Sequence, residues 1–172
     1  MVGASKVKNI VLCGLFAALT IVATYIHVPV TPSSGGLIHL GSIILFVAAY
    51  ILLPQYAAVS VAVGMTLFDL LSGWAAWAPF TFVIRFVQVL ILSVMIKNKK
   101  NNYIIIILAY VLCGLWEMAG YYIAEALIYG SWYLPIYSMP SELLHNAIGI
   151  VLGLPLAILV QKAIKRSESI QN

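Results

Sequence analysis

Six long apolar runs, at residues 10–26, 37–53, 56–71, 79–96, 103–129 and 142–163, occupy nearly the whole 172-residue chain and constrain its fold more than any other feature. A membrane-spanning helix needs about 20 consecutive apolar residues, and four of the runs come close to or exceed that length. The second and third are short, but together they are too long for one helix, and Pro54-Gln55 at their junction predicts a tight hairpin. With 63% hydrophobic residues and a mean hydropathy of +1.06, too little polar surface exists to coat a water-soluble globule. The expected fold is therefore an all-α membrane protein, a six-transmembrane-helix bundle forming a single domain over residues 1–172.

The positions of the basic residues orient this bundle. Lys6 and Lys8 precede the first run, Lys97, Lys99 and Lys100 fall between the fourth and fifth, and Lys162, Lys165 and Arg166 follow the sixth. With six crossings all three clusters land on one face, which the positive-inside rule makes cytoplasmic, together with both termini. The opposite loops, Val28 to Gly36, Ser72 to Ala78 and Gly130 to Ser141, carry no Lys or Arg. The basic isoelectric point thus reports topology, and no nucleic-acid partner is implied. Residues 1–27 read as a retained span, because the apolar stretch is longer than a signal-peptide core and no A-x-A site follows it. Cys13 and Cys113 sit singly inside apolar runs and suggest neither a disulfide framework nor a metal site.

Against this background the intramembrane polar residues stand out, since each ionisable group costs about 2.5–3.5 kcal/mol at a helix centre on insertion scales. On the expected topology Asp69, Arg85, Glu117, Glu125, Glu142, His145 and Asn146 all lie in the outer half or near the midplane, and His39 opens the second span. Glu117, Tyr121 and Glu125 repeat at i, i+4, i+8, while Glu142, His145, Asn146, Gly149 and Gly153 share a stripe on the last helix. Both stripes must avoid lipid, so they are expected to form a polar cup open to the outside. Trp74, Trp77, Tyr121, Tyr122, Trp132, Tyr133 and Tyr137 gather near its mouth, either as an interfacial belt or as walls for a flat heterocycle carrying hydroxyl or amino groups. Asp69 and Arg85 are expected to form an ion pair fastening the third and fourth spans, with direct ligand contact as the alternative. Glu117 and Glu142 then remain as ligand candidates, because no second arginine is left to neutralise them.

The first outer loop, "HVPVTPSSGGLIHLG", contains Pro29 and Pro32, which forbid helix, and Gly35-Gly36, which permits close backbone approach. It reads as a lid or as a plain connector. On the first span, Gly14 and Ala18 have the spacing that lets another helix approach closely, in this chain or in a partner. No phosphate-cradling G-x-x-x-x-G-K-[ST] loop, H-E-x-x-H or G-x-S-x-G occurs. If the protein drives uptake, its energy comes from a partner. The readings from other classes are a small intramembrane enzyme using Glu117, Glu142 and His145 as acid and base, and an accessory scaffold.

The stretches "GGLIHLGSIILFVAAYILLP" and "FDLLSGWAAWAPFTFVIRF" resemble the S components of energy-coupling factor (ECF) vitamin transporters, in the branch with riboflavin-, pyridoxine- and hydroxymethylpyrimidine-type members. Gly36, His39, Leu40 and Gly41 match the second-helix motif of that branch, with Ser42 in place of its acid. Asp69 to Gly73, Trp77 to Pro79, Thr81 and Phe82 match the third-to-fourth-helix pattern, with Arg85 for a commoner lysine. The resemblance implies a multi-pass subunit of a prokaryotic cell membrane whose first outer loop occludes a vitamin. It also implies that Gly14 and Ala18 pack on a membrane-embedded coupling protein, with two cytosolic ATPase subunits below. The candidate ligand-binding residues are Gly36, His39, Trp77, Arg85, Glu117, Tyr121, Glu142, His145 and Asn146. No cofactor is expected, and the favoured ligand is a hydroxymethylpyrimidine- or pyridoxine-like ring, with riboflavin as the alternative.

Overall fold

In hydrocarbon no water is present to satisfy backbone N–H and C=O groups, so each apolar run must close its own hydrogen bonds as a helix. The computed structural model describes residues 2–29, 37–97, 99 and 102–171. Its elements in chain order are α1 (Val2–Tyr25), β1 (His27–Pro29), β2 (Leu37–His39), α2 (Gly41–Ile51), α3 (Pro54–Leu71), α4 (Ala78–Ile96), α5 (Tyr103–Tyr129) and α6 (Leu134–Gln171). Five of the helices, all but α2, are long and apolar enough to cross a membrane.

Six helices are present, as expected, and α2 is apolar but too short to count as a span on length and composition alone. The run at 37–53 does not form one helix; its first residues, Leu37–His39, pair antiparallel with His27–Pro29, so that His27 lies opposite His39 and Pro29 opposite Leu37. His39 consequently sits on a strand and does not open a span. A strand rises about 3.3 Å per residue against about 1.5 Å in a helix, so β2 and the 11-residue α2 together still reach roughly 26 Å. Pro29 closes β1 at its end, where its missing N–H removes no interior ladder bond.

The expected hairpin at Pro54 is present: α2 stops at Ile51, Leu53 is extended, and Pro54 opens α3 as its first residue. The Asn102 side chain caps α5 by accepting from the N–H groups of Ile104 at 3.1 Å and Ile105 at 3.2 Å. Gly130, at φ 65°, ends α5 in the left-handed conformation that a side chain would resist. The last outer loop is shorter than expected. Of residues 130–141 most belong to α6: Pro135 lies in its first turn, where a missing N–H costs nothing, while Pro140 lies inside the helix and removes one ladder bond without ending it.

Lipid offers no hydrophobic drive between helices, so close packing must hold the bundle together. α3 packs against α1 and α4, α2 against α6, and α5 between α4 and α6. Gly64 is what allows α1 and α3 to touch: a Cβ there would lie 2.7 Å from the Ala17 carbonyl oxygen and 2.7 Å from the Thr20 Cβ. A core of Leu45, Phe46, Tyr50, Ala57, Val61, Val89, Leu92, Ile96 and Tyr110 fills the half of the bundle nearer the basic clusters, with the Phe46 and Tyr110 rings 4.8 Å apart. Exposed Leu, Ile and Val side chains cover the outward faces of α1, α5 and α6.

Candidate functional site

Above that core the bundle opens into one cavity of about 60 Å³. Five of the helices supply its wall from the end far from the lysines: Thr24 ends α1, Phe68 and Asp69 end α3, Thr81 and Arg85 begin α4, Tyr121 and Glu125 lie late in α5, and Glu142 lies early in α6. Leu37 and His39 of β2, Met65 of α3 and the turn residues Trp74 and Trp77 complete it. The Trp77 ring lies 6.2 Å from that of Tyr121 and 6.3 Å from that of Tyr129. Trp132, Tyr133 and Tyr137 are exposed and stay outside the wall, as an interfacial belt would.

Below the cavity runs a buried polar network centred on Arg85, which is 2% exposed. Its guanidinium forms an ion pair with Glu117, itself 1% exposed. Arg85 Nη1 donates to Gln88 Oε1 at 2.9 Å, and Gln88 Nε2 donates to Glu117 Oε2 at 2.6 Å, closing a ring of three side chains. Arg85 Nε donates to the Tyr121 hydroxyl at 3.2 Å, and the guanidinium carbon stands 5.1 Å from the centre of the Tyr121 ring. Such a charge is tolerable in a membrane because it is paired and hydrogen-bonded.

The expected ion pair between Asp69 and Arg85 is thereby corrected. Arg85 and Gln88, three residues apart on α4, turn together toward α5, and Glu117 takes the charge. The argument that no arginine would neutralise Glu117 fails for the same reason. Asp69 instead meets the Thr81 hydroxyl, while its Oδ2 has no hydrogen-bond partner among the described residues.

His145 links this network to the strands. The His39 backbone N–H donates to His145 Nδ1 at 3.4 Å, and Nε2 meets the Ser42 hydroxyl and lies 4.0 Å from Glu117 Oε1. The two imidazole rings meet edge to face at 4.5 Å. Burial, followed by the charges of His145 and Arg85, holds the His39 pKa well below its ordinary value, so this ring brings no positive charge to the cavity at neutral pH.

Of the nine ligand candidates, His39, Trp77, Arg85, Tyr121 and Glu142 line the cavity. Glu117 and His145 lie beneath it as supports. Asn146 faces away: its side-chain amide donates to the Glu142 carbonyl at 3.1 Å, and its oxygen lies near Gly114. Gly36 lies outside the described residues. Sequence reasoning missed Thr24, Met65, Phe68 and Thr81 as wall residues. Thr24 carries a readable signal, a hydroxyl at the end of an apolar helix, but its hydroxyl donates to the Thr20 carbonyl at 2.7 Å. Met65 and Phe68 carry none, because they look like any other apolar residue of α3.

The arrangement defines a class: a helical membrane protein with a small acidic and aromatic cavity near one end and no cluster of groups suited to a metal among the described residues. A model of the ECF-type riboflavin transporter S component family matches residues 4–165, and the chain belongs to that family. It is the substrate-binding, membrane-embedded subunit type of ECF transporters. No curated protein sequence matches the chain.

Proposed function

We propose that the chain captures a compact, water-soluble vitamin or vitamin precursor in this cavity, of the hydroxymethylpyrimidine or pyridoxine kind. The observation that carries the proposal is the placement of the acidic and aromatic cavity at the end of the bundle opposite Lys6, Lys8, Lys97, Lys99, Lys162 and Arg166. By the positive-inside rule that end faces outward, with both termini in the cytoplasm. His39, Trp77, Arg85, Tyr121 and Glu142 contact the ligand in this reading, and Glu117 and His145 hold Arg85 and His39 in place. The loop expected to close over it, Val30 to Leu37, lies outside the described residues except for Leu37, which lines the cavity.

Size favours a single ring. An apolar cavity of roughly 150 Å³ holds one benzene, so a cavity of about 60 Å³ must already widen for one ring and must widen much further for a flavin. Riboflavin is the second reading, supported by the family's description.

Delivery requires a partner, since tight capture alone would hinder release. Gly14 and Ala18 are exposed on α1, and beyond the helix itself nothing among the described residues lies within 4 Å of a Cβ built on Gly14, so a coupling protein has room to dock there. Two cytosolic ATPases would supply the energy. Catalysis by Glu117, Glu142 and His145 is disfavoured, because Glu117 is engaged by Arg85 and Gln88, and His145 by His39 and Ser42. Isothermal titration of the purified protein with a vitamin panel, alongside identification of any small molecule retained through mild purification, tests the reading. Stoichiometric binding without turnover supports it; turnover by the protein alone, or no binding at all, ends it.

A further inference from the structure

Four of the chain's five acidic residues, Asp69, Glu117, Glu125 and Glu142, gather at the cavity or just below it, against a single arginine. That arginine is already engaged: its Nη1 pairs with Glu117 and donates to Gln88, and its Nε donates to Tyr121. Among the described residues neither Asp69 nor Glu142 has a salt-bridge partner, and both line the cavity. Asp69 is only 9% exposed, and its Oδ2 accepts no hydrogen bond from the described residues. A buried carboxyl oxygen left unpaired in this way carries a standing cost that a donor brought from outside would remove.

The walls point the same way. Trp74, Trp77 and Phe68 present aromatic surface beside these acids, and aromatic faces with carboxylates are the surroundings in which an organic cation is stabilised. An anionic ligand, by contrast, would meet two carboxyls with no salt-bridge partner among the described residues, and an arginine already paired with Glu117. We infer that the cavity selects a ring bearing a protonated amino group, with that group directed to Asp69 and Glu142 and the ring lying against the tryptophans. The inference rests on the capture reading above and specifies the charge of what is captured.

Matched pairs of vitamins test it on the purified full-length chain. Pyridoxamine carries a cationic aminomethyl group where pyridoxine carries a hydroxymethyl group; thiamin is a fixed cation and riboflavin is neutral; biotin supplies an anion. Equilibrium dialysis at neutral pH is expected to favour pyridoxamine over pyridoxine by roughly tenfold or more, the value of one charge-assisted hydrogen bond. Asp69→Asn, which keeps the shape of the side chain, should shrink that ratio toward one, and Glu142→Gln should reduce it as well. Thermal unfolding of both variants establishes that they are folded.

The inference is overturned if pyridoxine binds as well as pyridoxamine, if biotin binds best, or if the preference survives both substitutions. Should only the larger vitamins bind, riboflavin binding more tightly than thiamin overturns it equally. Failure of every vitamin to bind would refute the capture reading itself, and is distinguishable from a reversed charge preference.

Discussion

Replacing Glu117 by Met, with Gln88 and Tyr121 left in place, strips the Arg85 guanidinium of its only ion-pair partner among the described residues. Arg85 is 2% exposed, so the charge cannot escape to bulk water by a simple rotation. Breaking one side of a buried pair costs about 3–5 kcal/mol. Because Arg85 also borders the cavity, where water can reach it, about 3 kcal/mol is the better expectation. For a chain of 172 residues each kcal/mol moves the melting temperature by roughly 2–4 °C, giving a fall of about 6–12 °C. Arg85→Met should cost a similar amount by leaving Glu117 charged and alone. The double variant Arg85→Met/Glu117→Met removes both charges and should return to within about 1 kcal/mol of the parent, because well-packed apolar residues replace a buried ion pair at little cost. Thermal unfolding of the ligand-free protein in detergent, read as a double-mutant cycle, measures the coupling. A coupling below about 0.5 kcal/mol, or a double variant less stable than either single one, would refute the claim that these two charges are sustained by each other.

Other consequences are simpler to check. Gly64→Ala should destabilise by about 1–3 kcal/mol, since its Cβ would fall 2.7 Å from the Ala17 carbonyl oxygen and push α1 off α3. Gly14→Ala should shift stability by less than about 0.5 kcal/mol, having nothing within 4 Å, yet reduce uptake in cells if a partner docks on that face; thermal melts and transport assays separate the two. His145→Phe keeps a ring against His39 but loses the bonds to the His39 N–H and the Ser42 hydroxyl, and melts should show a loss of about 1–3 kcal/mol. In a background lacking Cys13 and Cys113, cysteines placed at Trp74 and Trp132 should react with an impermeant maleimide from the outer side, and one at Lys99 only after permeabilisation.

Much of the site was legible before any coordinates, because the cost of a charge in hydrocarbon depends on its depth, and depth follows from position along a run. That logic gathered Asp69, Arg85, Glu117, Glu125, Glu142 and His145 toward the end away from the lysines, where the structure places them. It failed where rotation about a helix axis mattered. A depth estimate allows Arg85 to reach either Asp69 or Glu117, and only the turn of α4 toward α5 gives it to Glu117. In a bilayer the lipid-facing and core-facing surfaces are equally apolar, so periodicity carries little information about that turn. The same weakness hid Met65 and Phe68 among the wall residues and let Asn146 pass for one.

Local backbone choices divided along similar lines. Pro54 announced the hairpin between α2 and α3, since a proline opens a helix well and cannot continue one. The outer loop expected at Gly130 to Ser141 is largely taken up by α6, which runs through Pro140, and Ser138 at that end is buried and donates to Glu125 at 2.9 Å. Hydropathy likewise ran Leu37–His39 into the following helix, although these residues pair with His27–Pro29. Composition and the order of charges along the chain determined that this is a helical membrane protein with its polar groups gathered at one end, because insertion energies act on each segment by itself. Which carboxylate holds the arginine, and which oxygen is left waiting, was decided only when six helices packed at particular rotations, a choice made by contacts between segments far apart in the chain.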